Sequence, residues 1–196
     1  LHLYKISSPL MVMDGQGIND DLNGIERPVK FGVKFMEDQP AVIVHSLAKW
    51  KRLRLKEFDI PLGKGIVTDM QALRPDEDYS PIHSIYVDQW DWEKHISKTD
   101  RTLHYLKNTV KSIFKALKKT ESQLIRKGIV SKLQLPEKIK FIHSEDLLKL
   151  YPHLSAKQRE DKIAKKYGAV FIIGIGGTLS NGLPHDTRAA DYDDWT

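Results

Sequence analysis

RPDEDYSPIHSIYVDQWDWE, residues 74–93, sets six carboxylates beside one guanidinium, Arg74, and ends in a run that mixes aromatic with polar side chains. Ile85, Tyr86, Val87, Trp90 and Trp92 favour a pleated strand. Side chains on a strand alternate between faces, so Val87, Gln89, Asp91 and Glu93 share one face and Tyr86, Asp88, Trp90 and Trp92 the other. One face is polar and the other mainly aromatic. Gln89 and Asp91 stand about 7 Å apart at the usual rise, a span over which an amide and a carboxylate can hold the two ends of an amino acid. Carboxylates gathered near one arginine suit three ligands: an ammonium group, a divalent cation held through oxygen, and a phosphate gripped by guanidinium. Taken alone, Asp76, Glu77 and Asp78 read as a solvated acidic turn.

The segment carries a charge of −5 in a chain of 196 residues whose net charge is +5. The acids are therefore locally concentrated in a basic protein. A chain of this length builds one domain with a sizeable core, and 40% hydrophobic with 29% charged residues is ordinary globular composition. There is no cysteine, which removes disulfides, thiolate ligands and cysteine nucleophiles and fits a cytoplasmic protein. No apolar run is long enough to cross a bilayer, and no signal-peptide pattern opens the chain. The lysines, among them Lys107, Lys111, Lys115, Lys118 and Lys119, are dispersed along a helix as a solvated face, which argues against nucleic-acid binding. Leu1 in place of an initiating methionine, and the acidic run DYDDW just before Thr196, give both ends the look of cuts.

Outward from the acidic stretch, VKFGVKF (29–35) and AVIVH (41–45) read as an antiparallel hairpin turned by EDQP. Ser46 is the expected cap of a helix through SLAKWKRLRLKEF. IVTDMQAL (66–73) is a strand leading into the acidic site. Leu103, Leu106, Val110, Ile113, Leu117 and Leu124 form the apolar stripe of a long helix stopped by Gly128. KIKFIH is a short strand, SEDLLKLY a helical turn, and SAKQ (155–158) a capping box for a helix ending before Gly168. AVFIIG (169–174) reads as a buried strand.

Three further patterns bear on chemistry. GIGGTLSNG (174–182) has neither the GxGxxG nor the GxxxxGK[ST] spacing and reads as a loop. His45, His83, His143 and His185 lack paired zinc-ligand spacing. HDTRAADYDDW (185–195) carries four aspartates, either as a site for a metal or basic ligand or as an acidic loop.

HSLAKWKR (45–52), ALRPDED (72–78), SPIHSIYVDQWDWE (80–93) and RAADYDDW (188–195) resemble the signature blocks of ammonia-dependent asparagine synthetase, the aspartate–ammonia ligase family. The similarity runs along nearly the whole chain. It implies an α+β fold like the catalytic core of class II aminoacyl-tRNA synthetases, an antiparallel sheet flanked by helices, in a single catalytic domain over residues 1–196. HLYKISSPLM resembles the end of motif 1, with Pro9 as its proline, and so implies a homodimer. LRPDED resembles motif 2, and Gln89, Asp91 and Glu93 match the Q-x-D-x-E of the aspartyl and asparaginyl synthetases.

The resemblance implies that aspartate attacks ATP to give β-aspartyl adenylate, which ammonia then opens to asparagine and AMP. Catalytic roles fall to Arg74 at the α-phosphate, Lys51 at a carboxylate and Asp20 near the ammonium or ammonia. Gln89, Asp91, Ser46 and His45 would bind the amino acid, and Arg74, Glu77, Ser84 and Asp194 the ATP, with magnesium as its companion and no metal ligands specified. The family's helix before motif 1 and its motif 3 arginine have no counterpart here, so the chain reads as an incomplete domain, inactive by itself. Rival readings are a non-catalytic paralogue and a tRNA-binding synthetase module.

Overall fold

The computed structural model describes residues 1–20, 26–81, 83–130, 132 and 134–187, which form two compact units, Leu1–Ser97 and Lys98–Thr196. In the first, β1 (Leu3–Lys5), β2 (Met11–Met13), β3 (Lys30–Val33) and β4 (Gln39–Ile43) precede helix α1 (Ala48–Glu57), and β5 (Gly65–Leu73) and β6 (Tyr86–Lys94) follow it. The expected hairpin is β3–β4, antiparallel from Lys30↔Val42 to Val33↔Gln39. Its connection is a 3-10 turn at Lys34–Met36 followed by Glu37 and Asp38 in the left-handed region. β2 pairs with the other edge of β4 to give the order β2-β4-β3.

The second sheet has the order β1-β5-β6. β5 and β6 are antiparallel over nine residue pairs, from Gly65↔Lys94 to Leu73↔Tyr86. β1 runs parallel to β5, in register Leu3↔Gly65. Parallel neighbours need a long crossover, and here the intervening chain supplies the other sheet and α1. Gly65 lies where strands close on both sides of it. An added Cβ would sit 2.3 Å from the Glu93 carbonyl oxygen and 2.7 Å from Leu3 Cδ2, so only glycine fits. The core of this unit is Val44, Leu47, Met70 and Ala72, with Val12, Ile18, Trp50 and Val87 packed against it.

The second unit contains α2 (Leu103–Arg126), β7 (Lys140–His143), α3 (Ser144–Leu150), α4 (Ala156–Tyr167) and β8 (Val170–Ile173). α2 starts where the Thr102 hydroxyl accepts from the Tyr105 N–H at 3.2 Å. It ends at Gly128, φ 71°, with Gly128 N–H donating to Ile125 O and Ile129 N–H to Leu124 O, the paired bonds of a Schellman end. Burial on α2 falls on Leu106, Val110 and Phe114, whereas Leu117 is 47% exposed. Periodicity marks an apolar face without marking what covers it, and Phe114 holds the place that the spacing gives to Ile113 and Leu117.

β7 and β8 pair in parallel, Lys140↔Val170 to His143↔Ile173, with α3 and α4 forming the crossover. Phe141 and Phe171 meet on this pair with ring centroids 5.9 Å apart. Of the strand expected to be buried throughout, 169–174, Ile173 and Gly174 are buried and the other four residues half-buried. α4 carries the predicted capping box: Ser155 Oγ accepts from Gln158 N–H at 3.3 Å and Gln158 Oε1 from Ser155 N–H at 2.9 Å.

Candidate active site

The β5–β6 register determines which groups share a face. Ile66 lies opposite Glu93, Thr68 opposite Asp91, Met70 opposite Gln89 and Ala72 opposite Val87. The four β5 residues are buried, so a row that is apolar but for Thr68 borders the Gln89, Asp91, Glu93 row on the next strand. α1 packs against both strands and brings Lys51 to the polar row. Lys51 is fully buried and its Nζ donates to Asp91 Oδ2. An ammonium taken out of water demands such a partner, because unpaired it costs several kcal/mol (roughly 3–5). Thr68 Oγ1 donates to the Asp91 carbonyl at 3.2 Å, and Arg52 Nε stands 3.6 Å from Glu93 Oε1. Burial pushes the Glu93 carboxyl above the usual range, against the opposing pull of Arg52 and Lys51.

The aromatic face is the open one, with Trp90 77% exposed. A shallow hollow of about 640 Å³ lies along it, lined by Asp69, Gln71, Asp88, Gln89 and Trp90. Its lining carries Asp88 and Asp69, the latter paired with Lys5, which leaves a net negative charge, the wrong sign for a phosphate. The polar face, with Lys51 on it and Arg74 just beyond the end of β5, carries cations that suit an anionic substrate.

Arg74 follows the end of β5, and its N–H donates to Ile85 O at 2.8 Å. Its Nη2 donates to the His45 carbonyl at 3.3 Å. His45 is fully buried; its N–H donates to Asn19 Oδ1 at 2.7 Å, and Nε2 lies 3.2 Å from the Arg27 carbonyl. That carbonyl can only accept, so Nε2 carries a proton and donates to it. His45 Nδ1 and Arg74 Nε are both buried with no hydrogen-bond partner among the described residues. Buried polar atoms are nearly always satisfied, and two orphans on contacting residues are groups a bound ligand would complete.

The six carboxylates do not gather around Arg74. Asp76 faces Arg27 instead: Arg27 N–H donates to Oδ2 at 2.7 Å and Nε to Oδ1 at 3.0 Å. The Arg27 guanidinium holds the Asp76 carboxyl down to about 2. Asp76 is thus an exposed turn residue, as its sequence suggests, but one paired with Arg27, while Asp91 and Glu93 take their cations from α1.

Ser46 does not cap α1. The N-cap is Leu47, whose side chain has no capping group, and the Ser46 carbonyl accepts from Asp20 N–H at 3.1 Å. Asp20 Oδ2 accepts from Lys49 N–H at 3.0 Å and Oδ1 lies 3.5 Å from Lys49 Nζ. Glu77 is half-buried and its N–H closes a turn on Arg74 O at 3.1 Å, whereas Ser84 is exposed. Asp194 and the rest of RAADYDDW lie outside the described residues. The structure therefore joins Lys51 to Asp91, His45 to Arg74 and Asp20 to Ser46. Asn19, Arg27, Arg52 and Thr68 are the supporting groups that sequence reading missed, since each acts on a residue far away in the chain.

Residues 1–196 all match the family model described as aspartate-ammonia ligase. The chain belongs to this family. An aspartate–ammonia ligase of Clostridium perfringens (strain 13 / Type A) is 56% identical over 196 residues, 100% of this chain and 58% of that relative. Those of Parabacteroides distasonis and Lactobacillus johnsonii are 54% and 52% identical, again over the whole chain and over 57% and 58% of their own lengths. The chain thus spans somewhat over half the length of these ligases. The solved Entamoeba histolytica asparaginyl-tRNA synthetase in complex with asparaginyl-adenylate matches 88% of this chain and 38% of its own, with TM-score 0.53 and 18% identity. The fold is accordingly α+β and class II synthetase-like, with the departure that β1–β5 and β7–β8 are parallel pairs within it.

Proposed function

We propose that the whole protein makes asparagine from aspartate, ammonia and ATP. The β-carboxylate oxygen of aspartate attacks the α-phosphorus of ATP, and the bond to pyrophosphate breaks. Ammonia nitrogen then attacks the β-carbonyl carbon of the adenylate, the C–O bond to AMP breaks, and a proton leaves the nitrogen. The observation that carries this reading is the fully buried Lys51 ammonium set on the Gln89–Asp91 face in a chain matched end to end by the ligase family.

Lys51 supplies a cation for a substrate carboxylate, and Asp91 with Gln89 supplies the partners of an ammonium. Arg74, with one buried N–H that meets no partner among the described residues, faces the charge that develops on phosphorus, an interaction that strengthens in the transition state. His45 and Ser46 flank it on the amino-acid side, and Glu77, Ser84 and Asp194 belong to the nucleotide side. Magnesium would neutralise the phosphates of ATP. Among the described residues no three His, Asp or Glu side chains converge as a metal cage.

We assign the reaction to the cytoplasm, where its substrates are, and treat the two compact units as parts of one catalytic domain. A homodimer fits Leu10, Met11 and Phe31, all exposed on or beside the β2-β4-β3 sheet, and Phe35, 98% exposed at its tip. Among the described residues no helix is long and apolar enough to cross a membrane. The deciding experiment is product analysis of the full-length protein with aspartate, ATP and ammonium. Asparagine with AMP is expected; ADP in place of AMP overturns adenylation.

A further inference from the structure

Helix α1 has an unusual beginning. The N-cap position normally holds Ser, Thr, Asp or Asn, whose oxygen accepts from the second or third helical N–H. Here it holds Leu47, fully buried in the core with Val44, Met70 and Ala72. A polar residue at that position would empty the core, so the chain cannot cap the helix locally. The missing acceptor comes from Asp20, 29 residues earlier: Oδ2 accepts from Lys49 N–H, the second helical residue, at 3.0 Å. Asp20 N–H donates to Ser46 O at 3.1 Å, and the neighbouring Asn19 takes the His45 N–H at 2.7 Å. Lys51 begins the helical hydrogen bonding, donating its N–H to Leu47 O at 3.0 Å. It therefore lies in the turn that Asp20 holds.

We propose that Asp20 is a positioning residue, a remote N-cap that fixes the first turn of α1 and through it the Lys51 ammonium against Asp91, in place of the direct contact with ammonia that the family resemblance implies. This rests on the reading of Lys51 and Asp91 as the aspartate-binding pair. Both Asp20 oxygens already face Lys49, through its N–H and its ammonium. The carboxylate also meets the positive end of the helix, where an anion is favoured.

The two roles predict different orders of substitution. Asparagine is as good an N-cap as aspartate, whereas alanine is a poor one; a charge acting on ammonium is lost equally in both. The test compares Asp20→Asn with Asp20→Ala in the full-length protein by two readouts: acetylation of Lys51 by acetic anhydride, followed by mass spectrometry, and the aspartate KM alongside the ATP KM. Expected are Lys51 labelling and an aspartate KM each about fivefold higher in Asp20→Ala than in Asp20→Asn, the ratio that corresponds to one typical cap, with the ATP KM alike in both. Equal damage by the two variants, or an effect of neither on Lys51 labelling, overturns the proposal. Should Asp20→Ala not fold, Asp20→Asn decides: wild-type Lys51 protection supports the cap, and an order-of-magnitude rise in labelling overturns it. Labelling needs no turnover, so absence of asparagine synthesis with the expected labelling order would sink the functional reading and leave the cap standing.

Discussion

Helices α1 and α4 start by opposite means. α4 opens on Ser155 and Gln158, which cap each other three residues apart. α1 opens on a core leucine and takes its cap from Asp20, 29 residues away. The other two helices of the second unit behave like α4: Thr102 caps on Tyr105 and the His143 ring on Glu145 N–H. The unit with the candidate site satisfies its groups at long range, with Asn19 on His45 at a separation of 26 residues, Lys51 on Asp91 at 40 and Arg27 on Asp76 at 49. At α4 the starting residues cap only each other; α3 keeps a local cap although Ser144 donates to Gly174 O, 30 residues away, and Glu145 accepts from Ser180 N–H, 35 away. At α1, where the starting positions must fill a core and present an ammonium, the cap is borrowed from elsewhere.

The largest test of this contrast is the Lys51–Asp91 pair. Asp91→Ala strands a buried ammonium and should cost about 3–5 kcal/mol in urea unfolding. Lys51→Met removes the charge and keeps most of the volume, while Asp91, partly open to water, loses less by it. Its cost should be clearly smaller, and equal costs would mean that the two side chains are not coupled through burial. Next comes Arg74→Ala in the full-length protein, expected to lower turnover about 10² to 10³-fold with little change in the aspartate KM, as for loss of one electrostatic donor to the transition state. Turnover close to wild type would remove Arg74 from the mechanism.

On the other side of the contrast, Ser155→Ala should cost about 1 kcal/mol of stability and leave asparagine formation at saturating substrate intact. A loss of activity beyond the loss of folded protein would tie α4 to the site. The smallest effect concerns Arg27 and Asp76. The Asp76 carboxyl is held at about 2 instead of 3.8, first of all by the Arg27 side chain. A depressed carboxylate stabilises the fold fully above its unfolded pKa and loses that contribution as pH falls through the folded one. The stability difference between wild type and Asp76→Asn should therefore be present at neutral pH and vanish between about 3.8 and about 2. A difference that stays constant through that window would show that the ion pair contributes nothing in solution.

The β3–β4 hairpin, the β5 and β6 strands, the long α2 and the capping box of α4 were all legible in the sequence, because strand alternation, helical spacing and local caps act over a few residues. So was the side of β6 that carries Gln89 and Asp91, since alternation leaves no choice once a strand is granted. Tertiary structure alone decided that the polar face is the covered one and Trp90's the open one, that Asp76 belongs to Arg27, that Asp91 meets Lys51, and that β1 runs parallel to β5 and β8 to β7. These are contacts between segments 25 or more residues apart, as in Asn19 with His45 and Arg27 with Asp76. Charges at that separation carry no pattern in the chain, since any cation can meet any carboxylate until packing brings one of them near. Leu47 shows the same limit: its position reads as core from its apolar side chain, and only the fold shows that it begins a helix whose cap comes from Asp20.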